Sequence, residues 1–289
     1  MSTLKFMCLG SGSSGNCYYL GTDQYAIMID AGIPGRTIRQ ILKNNGLMGV
    51  PVRALLITHD HTDHIRGASM VSTIMGCPVY TTQEVHDGMD HNYGLQNKIP
   101  MPSRRSLVRD VTVPLPLTDF EVTPFSVPHD SHDNVGYHIV WRDGNHEERI
   151  CLVTDCGYIT PDIRKFTASA EHLIIESNHD VEMLMKGSYP HYLKMRVRGE
   201  GGHLSNDECG QLLKEIYHKG VRHVFLCHLS ADNNTPDKAY KTASIALNEA
   251  GAKVGYGGVT LAPLARTEPS QIYRFSGEEP KPIQLTLDF

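Results

Sequence analysis

An α/β sandwich is the fold class this chain predicts, two layers of strands with helices on the outside. Three observations predict it. Apolar runs of strand length follow one another through turns, helical stripes are inserted after every few of them, and the runs repeatedly end in Asp or His. The third observation is sharpest at Thr58-His59-Asp60-His61-Thr62-Asp63-His64, where three imidazoles and two carboxylates fall within seven residues, directly after the apolar run 52–57. Asp30, His129, Asp155 and His228 also follow apolar runs, so polar groups collect at one set of strand ends.

In order, residues 4–9 form a first strand and run into Gly10-Ser11-Gly12-Ser13-Ser14-Gly15, which matches G-x-G-x-x-G. A dinucleotide-binding loop needs a helix next. Residues 16–20 and 25–30 instead read strand, turn, strand, and that reading fails. The loop is then either a plain turn or a set of backbone N–H groups offered to an anion. Residues 34–45 place Ile38, Ile41 and Leu42 on one helical face and stop at Gly46. Strand 52–57 delivers the 58–64 loop, residues 64–71 form the helix beyond it, and 77–81 make a short strand. Residues 88–118 mix Gly, Pro and Asn with charges and read as a surface excursion with one strand near 107–113. Residues 120–127 deliver His129-Asp130-Ser131-His132-Asp133, with 136–141 as hairpin partner. Residues 150–157 repeat the design of apolar run, Asp and Gly, and 172–180 repeat it through Glu176-Ser177-Asn178-His179-Asp180.

Ser205 with Glu208 forms a capping box ahead of the stripe Leu212, Leu213, Ile216. His203 is thereby placed just before a helix N-terminus, where the dipole favours an approaching anion. Residues 221–228 make a strand ending in His228, Thr235 and Pro236 open a helix running to Gly251, and 253–261 make an edge strand. Residues 1–265 are read as a single domain and 266–289, polar and proline-bearing, as a tail that packs loosely.

Composition narrows the class. Hydrophobic residues are 40% and charged residues 20% of the 289, ordinary for a globular protein with a sizeable core. No apolar run approaches the roughly 18 residues of a membrane span, and no leader pattern opens the chain. The seven cysteines are odd in number, lack C-x-x-C spacing and lie mostly inside apolar runs, which points to buried free thiols and a cytoplasmic protein. The net charge of −5 gives no global basic footprint for nucleic acid, so a polyanion needs a local patch and metal.

Neutral imidazole and carboxylate are ligands that divalent ions such as zinc or manganese accept. Four such groups from one tight loop exceed what one catalytic ion with an open position uses. The pattern therefore points to two ions, with His59 and His61 on one and Asp63 and His64 on the other. A polar loop with chance histidines is the alternative.

The order Asp30, His59-x-His61-x-Asp63-His64, His129, Asp155, His228 resembles the five motifs of the metallo-β-lactamase superfamily, from about residue 4 to residue 262. Such membership implies an αββα four-layer sandwich of two mixed sheets with helices outside. The stretches LGSGSSGN, HDSHDNVGY, ESNHD, YPHYLKMRVRGEGGHLSN and LCHLSADNN resemble the YycJ/WalJ-type bacterial hydrolases, regarded as DNA exonucleases working from 5′ ends. Gly202-His203-Leu204-Ser205 also resembles the helix-start histidine motif of tRNA 3′-processing endonucleases.

The resemblance implies roles residue by residue. His59, His61 and His129 would hold one metal, Asp63, His64 and His228 the second, and Asp155 would bridge them. Asp30 would orient the ligand loop from behind. Two such ions activate a water and polarise a phosphodiester oxygen. Asp63 would orient that water or take its proton, and His203 would stabilise the transition state or protonate the leaving oxygen. The alternative for His203 is an ordinary neighbour of a helix cap. Lys194, Arg196 and Arg198 supply three cations that read either as a clamp on a nucleic-acid backbone, DNA rather than RNA, or as a solvated helix face. His132 reads as a surface residue or a donor behind the ligands. Asn178, His179, Asn233 and Asn234 match family signatures with no role legible from sequence.

A small-molecule hydrolase of the same fold, acting on an ester, thioester or lactone, would keep the same ligands without needing His203 or the basic run. Lactam hydrolysis is disfavoured by Asp63 and His64 together, and flavin chemistry by the lack of chain for a flavin domain; no nucleotide cofactor is expected. Residues 156–227 are too few for a separate nuclease cap domain.

Overall fold

The computed structural model describes residues 2–93, 95 and 98–275. Seven strands make each of two sheets. The first sheet runs β1 (Lys5–Gly10), β2 (Cys17–Gly21), β3 (Ala26–Ile29), β4 (Val52–Leu56), β5 (Val79–Thr81) and β6 (Arg104–Ser106), in that spatial order. The second runs β7 (Val113–Pro114), β8 (Phe120–Ser126), β9 (Val135–Asp143), β10 (His146–Val153), β11 (His172–Glu176), β12 (His223–Cys227) and β13 (Thr260–Pro263). The last strand, β14 (Tyr273–Arg274), returns to the first sheet and pairs antiparallel with β1. Each sheet starts antiparallel and becomes parallel, from β3 onward in one and from β10 onward in the other. The halves are thus alike, and parallel strands bring their C-terminal ends to one edge.

Strand alternation sorts the core into layers. Phe6, Tyr18, Leu20 and Ile27 point inward and meet Trp141, Ile150, Ile174 and Phe225 of the other sheet. Phe6 and Phe225 meet with ring centroids 4.7 Å apart and planes tilted by 36°. Met7, Leu9, Tyr19 and Met28 point outward and are covered by α1 (Gly35–Asn44), α2 (Thr62–Ile65), α3 (Ala68–Met75) and α4 (Gln83–His91) through Ile38, Leu42, Ile65, Val71, Val85 and Met89. On the far side Cys151, Val153, Leu173 and Val224 lie under α5 (Pro161–Thr167), α8 (Asn206–Ile216) and α9 (Pro236–Glu249). Two further helices, α6 (Val181–Lys186) and α7 (His191–Arg198), lie between α5 and α8 in the chain. The αββα order is the one the motifs implied.

Several elements differ from the sequence expectations. The single helix expected over 64–71 is two, because the chain breaks at Gly67, where a Cβ would stand 2.5 Å from the Ile33 carbonyl oxygen. The excursion 88–118 holds the end of α4, whose start is capped by Thr82, and strands β6 and β7 flank the expected 107–113 strand instead of filling it. The edge strand is shorter and later than 253–261, since residues 254–259 form a turn closed by a Val254–Val259 bridge. Residues 266–275 are not loosely packed: β14 extends the first sheet and Phe275 is buried against Phe6. Residues 276–289 lie outside those described.

Candidate metal centre

Every donor leaves the same edge of the sandwich. Asp30 follows β3, residues 58–64 follow β4, His129 follows β8, Asp155 follows β10, Glu176 ends β11 and His228 follows β12. Asp30, Asp155 and His228 adopt φ of 56°, 51° and 54°. Asp and His tolerate this left-handed conformation better than most residues, yet it costs on the order of 1–3 kcal/mol, held in place by the surrounding bonds. Gly32 lets the loops close, because a Cβ there would overlap the Asp63 carbonyl.

The ligating atoms of His59, His61 and His129 lie within 4.8 Å of one another, and so do those of Asp63, His64 and His228. Asp155 stands between the groups, Oδ2 3.2 Å from His64 Nε2 and Oδ1 3.3 Å from His228 Nδ1 and 3.7 Å from His129 Nε2. All seven donors named from the sequence are brought together.

Protein groups hold one nitrogen of four of these rings. His64 Nδ1 donates to Asp30 Oδ2 at 2.7 Å, while the Thr58 backbone N–H and hydroxyl donate to the same buried carboxylate. His129 Nδ1 donates to the Gly202 carbonyl at 3.0 Å, His59 Nδ1 pairs with the Thr58 hydroxyl at 3.0 Å, and His228 Nδ1 donates to Glu176 Oε1 at 2.8 Å. Fixing one nitrogen sets the tautomer and directs the other into the site. Two of those inward nitrogens, His59 Nε2 and His228 Nε2, are buried with no hydrogen-bond partner among the described residues, a costly state for a polar atom.

The charges make the same demand. Burial disfavours protonation of His59, His64, His129 and His228, and His59 and His129 follow it, held below the usual range. At His64 and His228 burial is outweighed by carboxylates: Asp155, Asp30 and Asp63 hold His64 well above its usual range, and Asp155, Asp63 and Glu176 raise His228 to about 10. Burial likewise opposes ionisation of Asp155, Asp63 and Glu176, but neighbouring imidazoles win, chiefly His228 and His64 at Asp155, His64 at Asp63, and His203 at Glu176, which falls to about 2. A buried carboxylate cluster needs positive charge, and orphaned imidazole nitrogens need an acceptor of their lone pairs. Divalent cations meet both needs, so the residues present fit bound metal.

The centre opens into a cleft of about 220 Å³ whose walls include Ser13, Asp63, Asp155, Leu193, Arg196, Val197 and His203. His203 sits between the capping box of α8, which forms as expected, and the cleft. Its Nδ1 donates to Glu176 Oε1 at 2.9 Å.

The basic run divides. Arg196 reaches the cleft and is held there by Asp130 Oδ2 at 2.8 and 2.6 Å. Lys194 does not line the cleft: its ammonium donates to the carbonyls of Met185 and Gly187, which end α6. Arg198 lies against Met185 Sδ and is also absent from the cleft walls. Of the three cations, only Arg196 lines the cleft; the helical turn sends the other two side chains elsewhere. His132 is exposed as expected, yet its Nδ1 donates to Asp60 of the ligand loop at 2.7 Å.

Glu176 is the residue that sequence reading missed. It is fully buried, its Oε1 accepts from His203 and His228, and its Oε2 accepts from the backbone N–H groups of Cys156 and Leu204 at 2.9 and 3.0 Å. Both oxygens are thus engaged by protein donors, and the carboxylate holds the His203 and His228 rings in place. Its one signal was a carboxylate at the end of an apolar run. The signature asparagines also gain a role. Asn178 Nδ2 donates to the His228 carbonyl, and Asn234 Nδ2 donates to the carbonyls of Ser177 and Asn178 and to Asn206 Oδ1. They tie the end of β11, the start of α8 and the loop after β12 into one unit. Ser11, from the Gly/Ser loop, accepts the His228 N–H at 2.9 Å. The Asn233 Oδ1 and His179 Nδ1 atoms are buried without hydrogen-bond partners among the described residues.

This fold with this donor set defines a metal-dependent hydrolase, and the chain belongs to the metallo-β-lactamase superfamily, its residues 25–229 matching the family described as Beta-lactamase superfamily domain. Within it the chain falls with the YycJ/WalJ-type members. It is 32% identical over 252 residues to exodeoxyribonuclease YycJ of Bacillus anthracis, covering 87% of this chain and 92% of that protein. It is 30% identical over 251 residues to exodeoxyribonuclease WalJ of Streptococcus pneumoniae serotype 2, covering 87% and 91%. Among solved structures, the metallo-β-lactamase fold protein YhfI of Bacillus subtilis matches with a TM-score of 0.65 at 16% identity, over 94% of this chain and 99% of that one. No helix among the described residues is long and apolar enough to cross a membrane, and all seven cysteines are buried and unpaired.

Proposed function

We propose that the protein is a nuclease that uses two divalent ions, zinc or manganese, to hydrolyse DNA phosphodiesters from 5′ ends. The observation carrying this reading is the pairing of two three-donor groups around Asp155 beside a cleft that holds both His203 and Arg196. A small thioester or lactone needs neither of the last two. His59, His61 and His129 would hold one ion, Asp63, His64 and His228 the other, with Asp155 shared. Ions so bound supply an activated water and an electrophile at the phosphoryl group.

The chain's own groups do the rest. Asp63, partly exposed at the cleft, orients the attacking water and receives its proton. His203 has Nδ1 fixed on Glu176, which leaves Nε2 for the substrate side, where it donates to a phosphoryl oxygen or to the leaving oxygen. Arg196 gives one cation to the phosphodiester backbone, and Asp130 fixes its fork.

The test is cleavage of single- and double-stranded DNA and RNA, labelled at either end, by protein loaded with manganese or zinc. Mononucleotide release from 5′ ends of DNA, lost in Asp63→Ala and His203→Ala, is the expected result. A fully metallated protein that leaves every nucleic acid intact would overturn the reading and favour small esters.

A further inference from the structure

Where α1 meets the start of α3, Arg36 and Arg66 line a second depression of about 390 Å³, walled also by Pro34, Gly67, Ser69 and Met70. Both arginines are exposed, and neither guanidinium makes a hydrogen bond or ion pair with any described residue. Elsewhere on the surface Arg104, Arg142, Arg149 and Arg164 each pair with a carboxylate. The local sequence explains the difference. Residues 31–59 contain Arg36, Arg39, Lys43 and Arg53 and no Asp or Glu, and residues 67–83 carry no charged side chain at all. In a chain of net charge −5, the face built by α1 and α3 is cationic only.

The depression is fastened to the catalytic loop. Arg66 caps α2, three residues after Asp63, and side chains at that spacing on a helix stand roughly 5–6 Å apart at Cβ. The Ala31 N–H donates to the His64 carbonyl at 2.8 Å and the Gly67 N–H to the Ala31 carbonyl at 2.7 Å, so the wall and the ligands move together. Two unpaired guanidiniums in one hollow match the oxygens of a phosphate diester, which arginine's planar fork contacts bidentately. The first turns of α1 and α3 open here without side-chain caps, adding N–H groups to what the arginines supply.

We infer that this depression holds a backbone phosphate of the nucleic-acid strand, adjacent to the one cleaved at the metal centre. The inference rests on the nuclease reading above and adds the surface along which the strand lies. It gives the enzyme a preference for a polymer over an isolated diester, because contact with the neighbouring phosphate requires one.

The experiment uses metal-loaded full-length protein, a fluorescein-labelled single-stranded 20-mer, and the double variants Arg36→Gln/Arg66→Gln and Arg39→Gln/Lys43→Gln. The second makes the same charge change on α1 but lies outside the hollow. The first is expected to raise KM for the 20-mer roughly tenfold with kcat little changed, and to reduce the slope of log affinity against log salt by about 0.7, one phosphate on a single strand. The control pair is expected to change KM by less than about twofold. Equal effects of the two pairs, or no effect of the first, would overturn the site. Anisotropy binding is read alongside cleavage to keep the two ideas apart. Wild type that binds but never cleaves sinks the nuclease reading, whereas wild type that cleaves with both variants unchanged sinks only this site.

Discussion

Glu176→Gln isolates the support of the metal centre from the centre itself. The substitution keeps volume and removes a charge from a carboxylate that accepts four hydrogen bonds. The backbone N–H groups of Cys156 and Leu204 are fixed donors, so the amide oxygen must face them and the NH₂ must face the imidazoles. His228 Nδ1 then has to accept instead of donate, which moves its proton to Nε2, the nitrogen aimed into the site. A protonated Nε2 cannot give its lone pair to a metal. Loss of such a supporting partner costs about 10–100-fold in metal affinity, or roughly 1.4–2.7 kcal/mol. The assay is competition for zinc or manganese against a chromophoric chelator, with Glu176→Gln beside His203→Ala. The first should lose both affinity and turnover, the second turnover alone. Wild-type affinity in Glu176→Gln would refute the tautomer argument.

Three further outcomes follow from the same structure. Asp30→Ala leaves the buried His64 Nδ1 and the Thr58 N–H without an acceptor and should cost about 3–5 kcal/mol, read as a fall in thermal midpoint whether or not metal is added. Burial, against the pull of Glu148, depresses His172 to about 4, and burial beside His172 and Arg222 depresses His223 to about 3. Folded values below the usual 6.5 mean full stability above that pH and loss as pH falls toward 4, about 2 kcal/mol per group at pH 5; urea denaturation at pH 7.5 and 5 should show it, and His223→Leu should shrink it. Burial raises the Cys8, Cys77 and Cys209 thiols to about 12, so a thiol reagent should find no fast-reacting cysteine in native protein and seven after denaturation.

The candidate donors were legible because each sits in a short pattern: an apolar run, then His or Asp, then a helix or turn. The 58–64 loop needed only seven residues to be recognised, and Asp30, His129, Asp155 and His228 repeated its context. Glu176 was not legible, since its partners His203 and His228 lie 27 and 52 positions away and nothing local distinguishes its carboxylate. The Asn178–Asn206–Asn234 network has the same long reach. β14 escaped because two residues are too few to show alternation, and only the fold sets Tyr273 and Arg274 opposite Phe6 and Lys5. Where Lys194 points was not legible either, because the carbonyls of Met185 and Gly187 that hold its ammonium are brought to it by the turn after α6.

The central claim is that two metal ions, held by these seven side chains, cleave DNA. The most direct measurement is a titration of metal-free protein with manganese or zinc, following bound metal and release of labelled nucleotide in the same samples. Two equivalents bound, with nucleotide release appearing as the second fills and both falling in Asp155→Ala, is the predicted result. Saturation at one equivalent with full activity, or two equivalents with no DNA cleaved, would contradict it.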